Sequence, residues 1–356
     1  MTSSLTCSGY MMTAVAKPLE SRSYELEPLA AGEALVKVAG CGLCHTDISF
    51  LHLGVKTRKE LPLVLGHEVS GVVEAVGAGV SPDLVGRPVV VPAVLPCGTC
   101  DLCQSGHRPI CRAQIMPGND RHGGFADKLS VPARYLCPVK DEVLKDHELW
   151  QLAVVADAVS TPFMAVARAE VRKNDPVVVI GTGGIGIYCV QIAAACGGHV
   201  VAVDVDDLKL EQAKRLGAKA AINVKGLAEK EVRAAVTGEL KKLGTSPYCT
   251  KIFETSGTRA GQLTGFSLLN HGASMAVVGF TMDKLEVRLS NLMAFDATLR
   301  GNWGCDPELY PEILEWIADG RIQIRPLVKR HPLAAINEVL EAAHAGRLEE
   351  RAVLVP

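Results

Sequence analysis

No stretch of about eighteen consecutive apolar residues occurs in this 356-residue chain, so nothing in it reads as a membrane-spanning helix. No block of lysine and arginine runs along it either. The 37 basic residues face 39 acidic ones, the formal net charge is −2, and that balance argues against nucleic acid as a partner. The first ten residues are polar and lack the charged start and long apolar core of a secretory signal. Internal repeats and low-complexity linkers are missing too. What remains is the expectation of a cytoplasmic globular protein, large enough for about two domains.

Cysteine, by contrast, is plentiful. There are twelve, four of them within Cys97 to Cys111 and the rest scattered. In a large chain without an export signal, clustered cysteines point to metal rather than to disulfides. Hydrophobic residues make up 48%, enough for a core in each of two domains.

Two textures divide the chain. From Met12 to about Val139, short β-like runs such as Ala34 to Ala39, Val69 to Glu74 and Pro88 to Val91 alternate with Gly and Pro, which predicts a largely antiparallel β domain. Within it, residues 97–111 lack periodicity and read as an excursion loop. After about Val159 the pattern changes to buried strands at Val177 to Ile180, Val200 to Val203, Ala220 to Asn223, Lys251 to Glu254 and Met275 to Val278. Helical segments near Leu208 to Leu216, Ala228 to Leu243 and Arg259 to Asn270 separate them, so the second half reads as a doubly wound parallel sheet. From about Trp303 the chain holds helices at Pro311 to Ala318 and Leu333 to Ala345 and a last strand from Arg351. This piece is too small to stand alone and is expected to return to the first domain. The expected divisions are residues 1–158, 159–302 and 303–356.

Cys97, Cys100, Cys103 and Cys111 form C-x2-C-x2-C-x7-C. Four thiolates close a tetrahedral shell around Zn²⁺ and leave no place for water, so such a metal is structural; an iron–sulfur cluster is the rival occupant. Cys44-His-Thr-Asp47 follows a predicted strand, and Gly66-His-Glu68 lies farther on. Cys44 and His67 can supply two of the three protein ligands that a catalytic zinc needs; spacing alone leaves the third open. Cys41 also makes a C-x2-C pair with Cys44, so a redox dithiol is the competing assignment.

Gly181-Thr-Gly-Gly-Ile-Gly186 directly follows a strand and opens a helix, the context in which G-x-G-x-x-G binds a dinucleotide. Gly181 allows the tight turn, Gly183 a close approach of backbone to pyrophosphate, and Gly186 close packing of helix on strand, with Gly184 and Ile185 completing the turn. The helix N-terminus meets the phosphates with its positive end. Asp204, eighteen residues after Gly186, ends the next strand; a carboxylate there accepts from ribose hydroxyls and repels a 2′-phosphate, which favours NAD.

In order and in kind, these motifs resemble those of the zinc-dependent medium-chain alcohol dehydrogenases, and the resemblance covers nearly the whole chain. It implies a Rossmann domain inserted in a GroES-like, mainly β catalytic domain, two zinc ions per chain, NAD as cofactor, and oxidation of an alcohol. It places the third zinc ligand at Asp157, within Val154 to Thr161. It gives Asp47 the orientation of the ligand His67, Thr46 the substrate proton, and Glu68 a position behind the metal from which some relatives exchange it in. Many relatives continue the proton relay with a histidine where this chain has Ser49; His52 is the outer candidate here. Lys209 matches a residue near the adenosine ribose. A homodimer or homotetramer is expected.

A narrower resemblance, to dehydrogenases acting on a ring alcohol carried as a CoA thioester, rests on Met116 to Asp120, Val277 to Lys284, Val287 to Phe295, Gly301 to Cys305 and Arg330 to Leu333. It implies an acyl-CoA substrate. Ala93 stands where relatives often have a bulky aromatic against the substrate, and Lys56, Arg58 and Lys59 could meet CoA phosphates. The alternatives are a dehydrogenase for a simple aliphatic or aromatic alcohol, and a catalytically silent zinc-binding structural or regulatory protein that has kept the fold.

Overall fold

A computed structural model describes residues 5–356. The chain divides into two compact units, one of Met1–Ser160, Gly304–Gly320 and Ile324–Pro356, the other of Thr161–Trp303 with Arg321–Gln323.

The first unit is mainly β. A mixed sheet runs in the order Val328–Pro332, Arg351–Val355, Glu33–Gly42, Glu68–Val76, Pro88–Val91 and Cys137–Pro138, with Lys128–Pro132 added to Glu33–Gly42. Val36, Val38, Val69, Val73, Val89 and Val91 belong to its buried core, as strand-forming β-branched residues on a covered face should. The register of Glu33–Gly42 on Glu68–Val76 shifts between Val38 and Gly40, then pairs Gly42 with Glu68. That pairing brings the chain entering the Cys44 motif beside the chain leaving the Gly66 motif. A second, three-stranded sheet is built from Glu20–Leu26, Leu5–Met12 and Leu63–Val64. The strand Leu5–Met12 lies ahead of the β-like runs read from Met12 onward. Its buried positions, Cys7, Gly9, Met11 and Met12, include a glycine and a cysteine that give no apolar alternation to read.

The second unit carries a six-stranded, all-parallel sheet in the order Ala220–Asn223, His199–Asp204, Pro176–Ile180, Lys251–Glu254, Ser274–Val277 and Thr298–Gly301. Pro176–Ile180 is buried at every position, which is why it reads as an unbroken apolar run. The order steps to opposite sides after Pro176–Ile180, so the crevice beyond the carboxyl ends of the central strands is the expected ligand position. This unit has the α/β Rossmann architecture, and the first unit is a GroES-like β domain. Helices of this unit include Gly186–Ala195, Asp207–Arg215, Glu229–Lys242 and Arg259–Ser267, whereas Tyr310–Ala318 belongs to the first unit. The segment from Leu333 is a short 3₁₀ turn, Leu333–Ala335, that passes into the helix Ile336–His344. Among the described residues no single helix is long and apolar enough to cross a membrane.

Candidate active site and metal centres

The helix His45–His52 begins at Cys44, and its first turn is organised by Asp47. The Asp47 carboxylate reaches back to accept from the Cys44 backbone N–H at 3.0 Å. Its other oxygen accepts from the Gly66 N–H at 3.1 Å and lies 3.7 Å from His67 Nδ1. One fully buried carboxylate therefore ties both sequence motifs together. Gly66 is required between them: its φ is +95°, and a Cβ there would press on Cys41 Sγ at 2.7 Å.

Asp157, 113 residues from Cys44, completes the cluster, with Oδ2 at 3.6 Å from Cys44 Sγ and 3.5 Å from His67 Nε2. Ligand atoms of Cys44, His67, Glu68 and Asp157 all lie within 4.8 Å of one another. Both ring nitrogens of His67 are buried without a hydrogen-bond partner. A buried imidazole costs free energy in that state unless something else binds it, and the surrounding thiol and carboxylates ask for a cation. Burial alone pulls the His67 pKa down; Asp47 and Asp157 outweigh it, and the net direction is up. Without a metal, a proton takes the place of the cation. The donor set, nitrogen with sulfur and oxygen, suits Zn²⁺.

Glu68 belongs to this cluster but is otherwise engaged. Arg351 grips it with both arms, Nε to Oε2 at 2.9 Å and Nη2 to Oε1. Burial raises the Glu68 carboxyl even with the guanidinium beside it; Arg351, against the cost of its own burial, is raised by the charges of Glu68, Cys44 and Asp157. A buried pair of this kind costs about 3–5 kcal/mol to break from one side. Arg351 is the residue that sequence reasoning missed. It sits 283 positions from Glu68, and the signal was only an arginine opening an apolar terminal strand.

In the lobe, Cys97–Cys103, Cys100–Cys103, Cys100–Cys111 and Cys97–Cys111 sulfurs stand 3.9, 3.5, 3.7 and 3.5 Å apart. A tetrahedron with metal–sulfur bonds of about 2.3 Å has edges of about 3.8 Å, so four sulfurs at these spacings fit one Zn²⁺; a cluster would spread them over several irons. The Thr99 N–H and hydroxyl and the Cys100 N–H all point at Cys97 and hold its thiol down at about 6, ready to ligate. The loop is not irregular throughout: a one-turn helix, Asp101–Gln104, carries Cys103. Cys41 is buried, and burial followed by Asp47 pushes its thiol well above the ordinary cysteine value, which leaves no reactive dithiol.

In the second unit, Gly181 has φ +82°, and a Cβ at that position would meet Ser256 at 2.6 Å. A Cβ on Gly186 would collide with the Gly181 carbonyl, whereas Gly183 faces open space. Close packing at the first and last glycine with an open middle one is the cradle a pyrophosphate needs. Gly184 and Ile185 form the turn before the helix Gly186–Ala195. Asp204 Oδ2 accepts from Thr182 N–H at 2.6 Å and its hydroxyl at 3.1 Å, and Oδ1 accepts from the N–H groups of Val205 at 2.7 Å and Asp206 at 3.2 Å. Lys209 is exposed in the first turn of Asp207–Arg215.

Two family models match the chain, "Alcohol dehydrogenase GroES-like domain" over residues 30–141 and "Zinc-binding dehydrogenase" over residues 184–319. An alcohol dehydrogenase from Geobacillus stearothermophilus is 32% identical over 341 residues, covering 95% of this chain and 96% of its own length. The chain belongs to the zinc-dependent medium-chain alcohol dehydrogenases. An L-threonine 3-dehydrogenase from Chromobacterium violaceum is 28% identical over 88% of this chain and 89% of its own. The crystal structure of the alcohol dehydrogenase from Aeropyrum pernix superposes with a TM-score of 0.87 at 26% identity, covering 98% of this chain and all of that one.

The dehydrogenase is thus an NAD-linked zinc enzyme acting on CH–OH, with a donor cluster for each of two zinc ions. The remaining expected residues fall as follows. Thr46 is half-buried, with its hydroxyl 3.6 Å from Cys44 Sγ. Ser49 turns away and donates to the His45 carbonyl at 2.9 Å. His52 stacks on His344, centroids 4.4 Å apart and rings 9° from parallel. Arg58 pairs with Asp120 at 3.1 Å, which spends the charge expected to meet a phosphate; Lys56 stays exposed and Lys59 is half-buried.

Proposed function

We propose that this dehydrogenase oxidises the ring alcohol of 6-hydroxycyclohex-1-ene-1-carbonyl-CoA to the ketone 6-oxocyclohex-1-ene-1-carbonyl-CoA, a step of anaerobic benzoyl-CoA degradation. The carbinol loses a hydride to NAD⁺ and its hydroxyl proton to the protein, giving ketone, NADH and a proton. Cys44, His67 and Asp157 hold the catalytic zinc, and Cys97, Cys100, Cys103 and Cys111 the structural one. The observation that carries the chemistry is that Glu68, the fourth donor of the cluster, is bound by Arg351 on both oxygens. Three ligands then remain, the number that leaves a place for substrate.

Zinc, when bound, supplies the Lewis acidity that lets an alcohol lose its proton near neutral pH. Asp47 fixes the His67 ring through its contact at Nδ1, as an outer carboxylate does for a ligand histidine. Thr46 accepts the alcohol proton at its hydroxyl and passes it outward; His52, stacked on His344, is the outer candidate in that relay. Asp204, ordered by four donors of its own chain, selects NAD⁺ by charge. Gly181 to Gly186 receive the pyrophosphate, and Lys209 lies near the adenosine ribose.

Ala93 supports the bulky substrate. It is buried, and its backbone N–H donates to the Ala156 carbonyl at 3.2 Å, next in sequence to Asp157, where a small side chain supports room for a ring. Lys56, exposed, and Lys59, half-buried, are the cations left to meet CoA. The test is NADH formation with the thioester, the free ring-hydroxy acid, cyclohexanol and ethanol. The thioester should turn over far faster, because contacts remote from the carbinol are used to position it. Rapid oxidation of simple alcohols without response to the thioester would replace this substrate by a simple alcohol, in keeping with the Geobacillus relative's description.

A further inference from the structure

The carbonyl oxygen of Ala156 is held by three donors. Tyr310 Oη donates to it at 2.5 Å, Ser160 Oγ at 3.1 Å, and the Ala93 N–H at 3.2 Å. Ser160 Oγ also lies 3.1 Å from Tyr310 Oη, so its one hydrogen serves either the carbonyl or the tyrosine oxygen. All four residues are buried, Ala156 at 1%, Ser160 at 0%, Tyr310 at 1% and Ala93 at 3% exposure. A carbonyl has two lone pairs, and Tyr310 with the Ala93 N–H fills both even when Ser160 turns to the tyrosine, so the oxygen is held from two segments remote from it in sequence. The next residue is Asp157. The peptide group is planar, so fixing the Ala156 oxygen fixes the plane from which the Asp157 Cα departs. Asp157 leaves that plane outside helical geometry, at φ −141° and ψ −57°, and its carboxylate ends 3.5 Å from His67 and 3.6 Å from Cys44.

We propose that Tyr310, with Ser160, is a positioning residue for the catalytic zinc: it clamps the Ala156–Asp157 peptide and so holds the Asp157 carboxylate at the metal. The inference rests on Asp157 being the third ligand. It gives the segment from Gly304 onward a role in the site, since Tyr310 is its contribution. Neither Tyr310 nor Ser160 touches metal or substrate. Tyr310→Phe keeps the ring and the packing and removes one donor.

The test measures zinc loss from the purified holoenzyme to a chelator, together with the visible absorption of protein carrying cobalt at the catalytic site. Tyr310→Phe should release one of two zinc ions faster, by on the order of tenfold, and shift the cobalt band. The lobe zinc should leave at its normal rate. Ser160→Ala should act in the same direction and carries the test alone if the tyrosine variant does not fold. In an Asp157→Asn background, Tyr310→Phe should add nothing. A Tyr310→Phe protein that melts lower yet keeps wild-type zinc release and cobalt absorption overturns the clamp. Wild-type zinc release from Asp157→Asn itself overturns the ligand assignment, and the clamp with it.

Discussion

At the scale of single residues, the site is built from buried carboxylates that each do more than one thing. Asp47 accepts from two backbone N–H groups and faces His67. Asp204 is the counterpart in the cofactor unit. A carboxylate offers about four acceptor positions, and four donors of its own chain use them. The Thr182 hydroxyl is the donor able to rotate away, so under the proposed ribose contact it is the bond a ribose hydroxyl would replace. Asp204→Ala removes both the acceptor and the charge that repels a 2′-phosphate. A hydrogen bond to a charged group contributes about 1.5–3 kcal/mol, so kcat/KM for NAD⁺ should fall roughly 10- to 100-fold while that for NADP⁺ falls less or rises. Steady-state kinetics with both cofactors checks this; a wild-type preference for NADP⁺ contradicts it.

Elements differ in how much of them the sequence discloses. Strands such as Pro176–Ile180 and His199–Asp204 were legible because burial on both faces demands continuous apolar runs. The cysteine lobe and the glycine turn were legible because their chemistry is local: ligands and turn residues lie within a few positions of one another. Arg351 opposite Glu68 and Tyr310 over Ala156 were not, because each contact joins residues more than 150 positions apart. Asp157 needed the family resemblance for the same reason. The edge strand Thr298–Gly301 was also missed. All four of its residues are exposed, so no burial pattern marks it. It ends the six-stranded sheet with its own Leu299 40% exposed, and Leu289 and Met293, at the preceding helix Ser290–Phe295, are 64% and 78% exposed. An unpaired edge is a template for another strand, and a second copy of this chain is the occupant that suits the expected homodimer or homotetramer. Light scattering should find an oligomer for the wild type and a smaller species for a Met293→Asp, Leu299→Asp double variant. An unchanged mass for the variant would place the contact elsewhere.

For the whole molecule, the account assigns two zinc ions to two kinds of site within one unit. In the proposed assignment the lobe, closed by four sulfurs, serves stability, whereas the Cys44, His67, Asp157 site, short of one ligand, serves turnover. The two assignments separate under substitution. Zinc content per chain, measured by elemental analysis on Cys44→Ser and Cys100→Ser proteins beside the wild type, tests this most directly. The account predicts about two zinc ions in the wild type. It predicts about one in Cys44→Ser, which stays folded but forms no NADH, and a Cys100→Ser protein that loses lobe zinc and melts several degrees lower. Two zinc ions and undiminished NADH formation in the Cys44→Ser protein would contradict it.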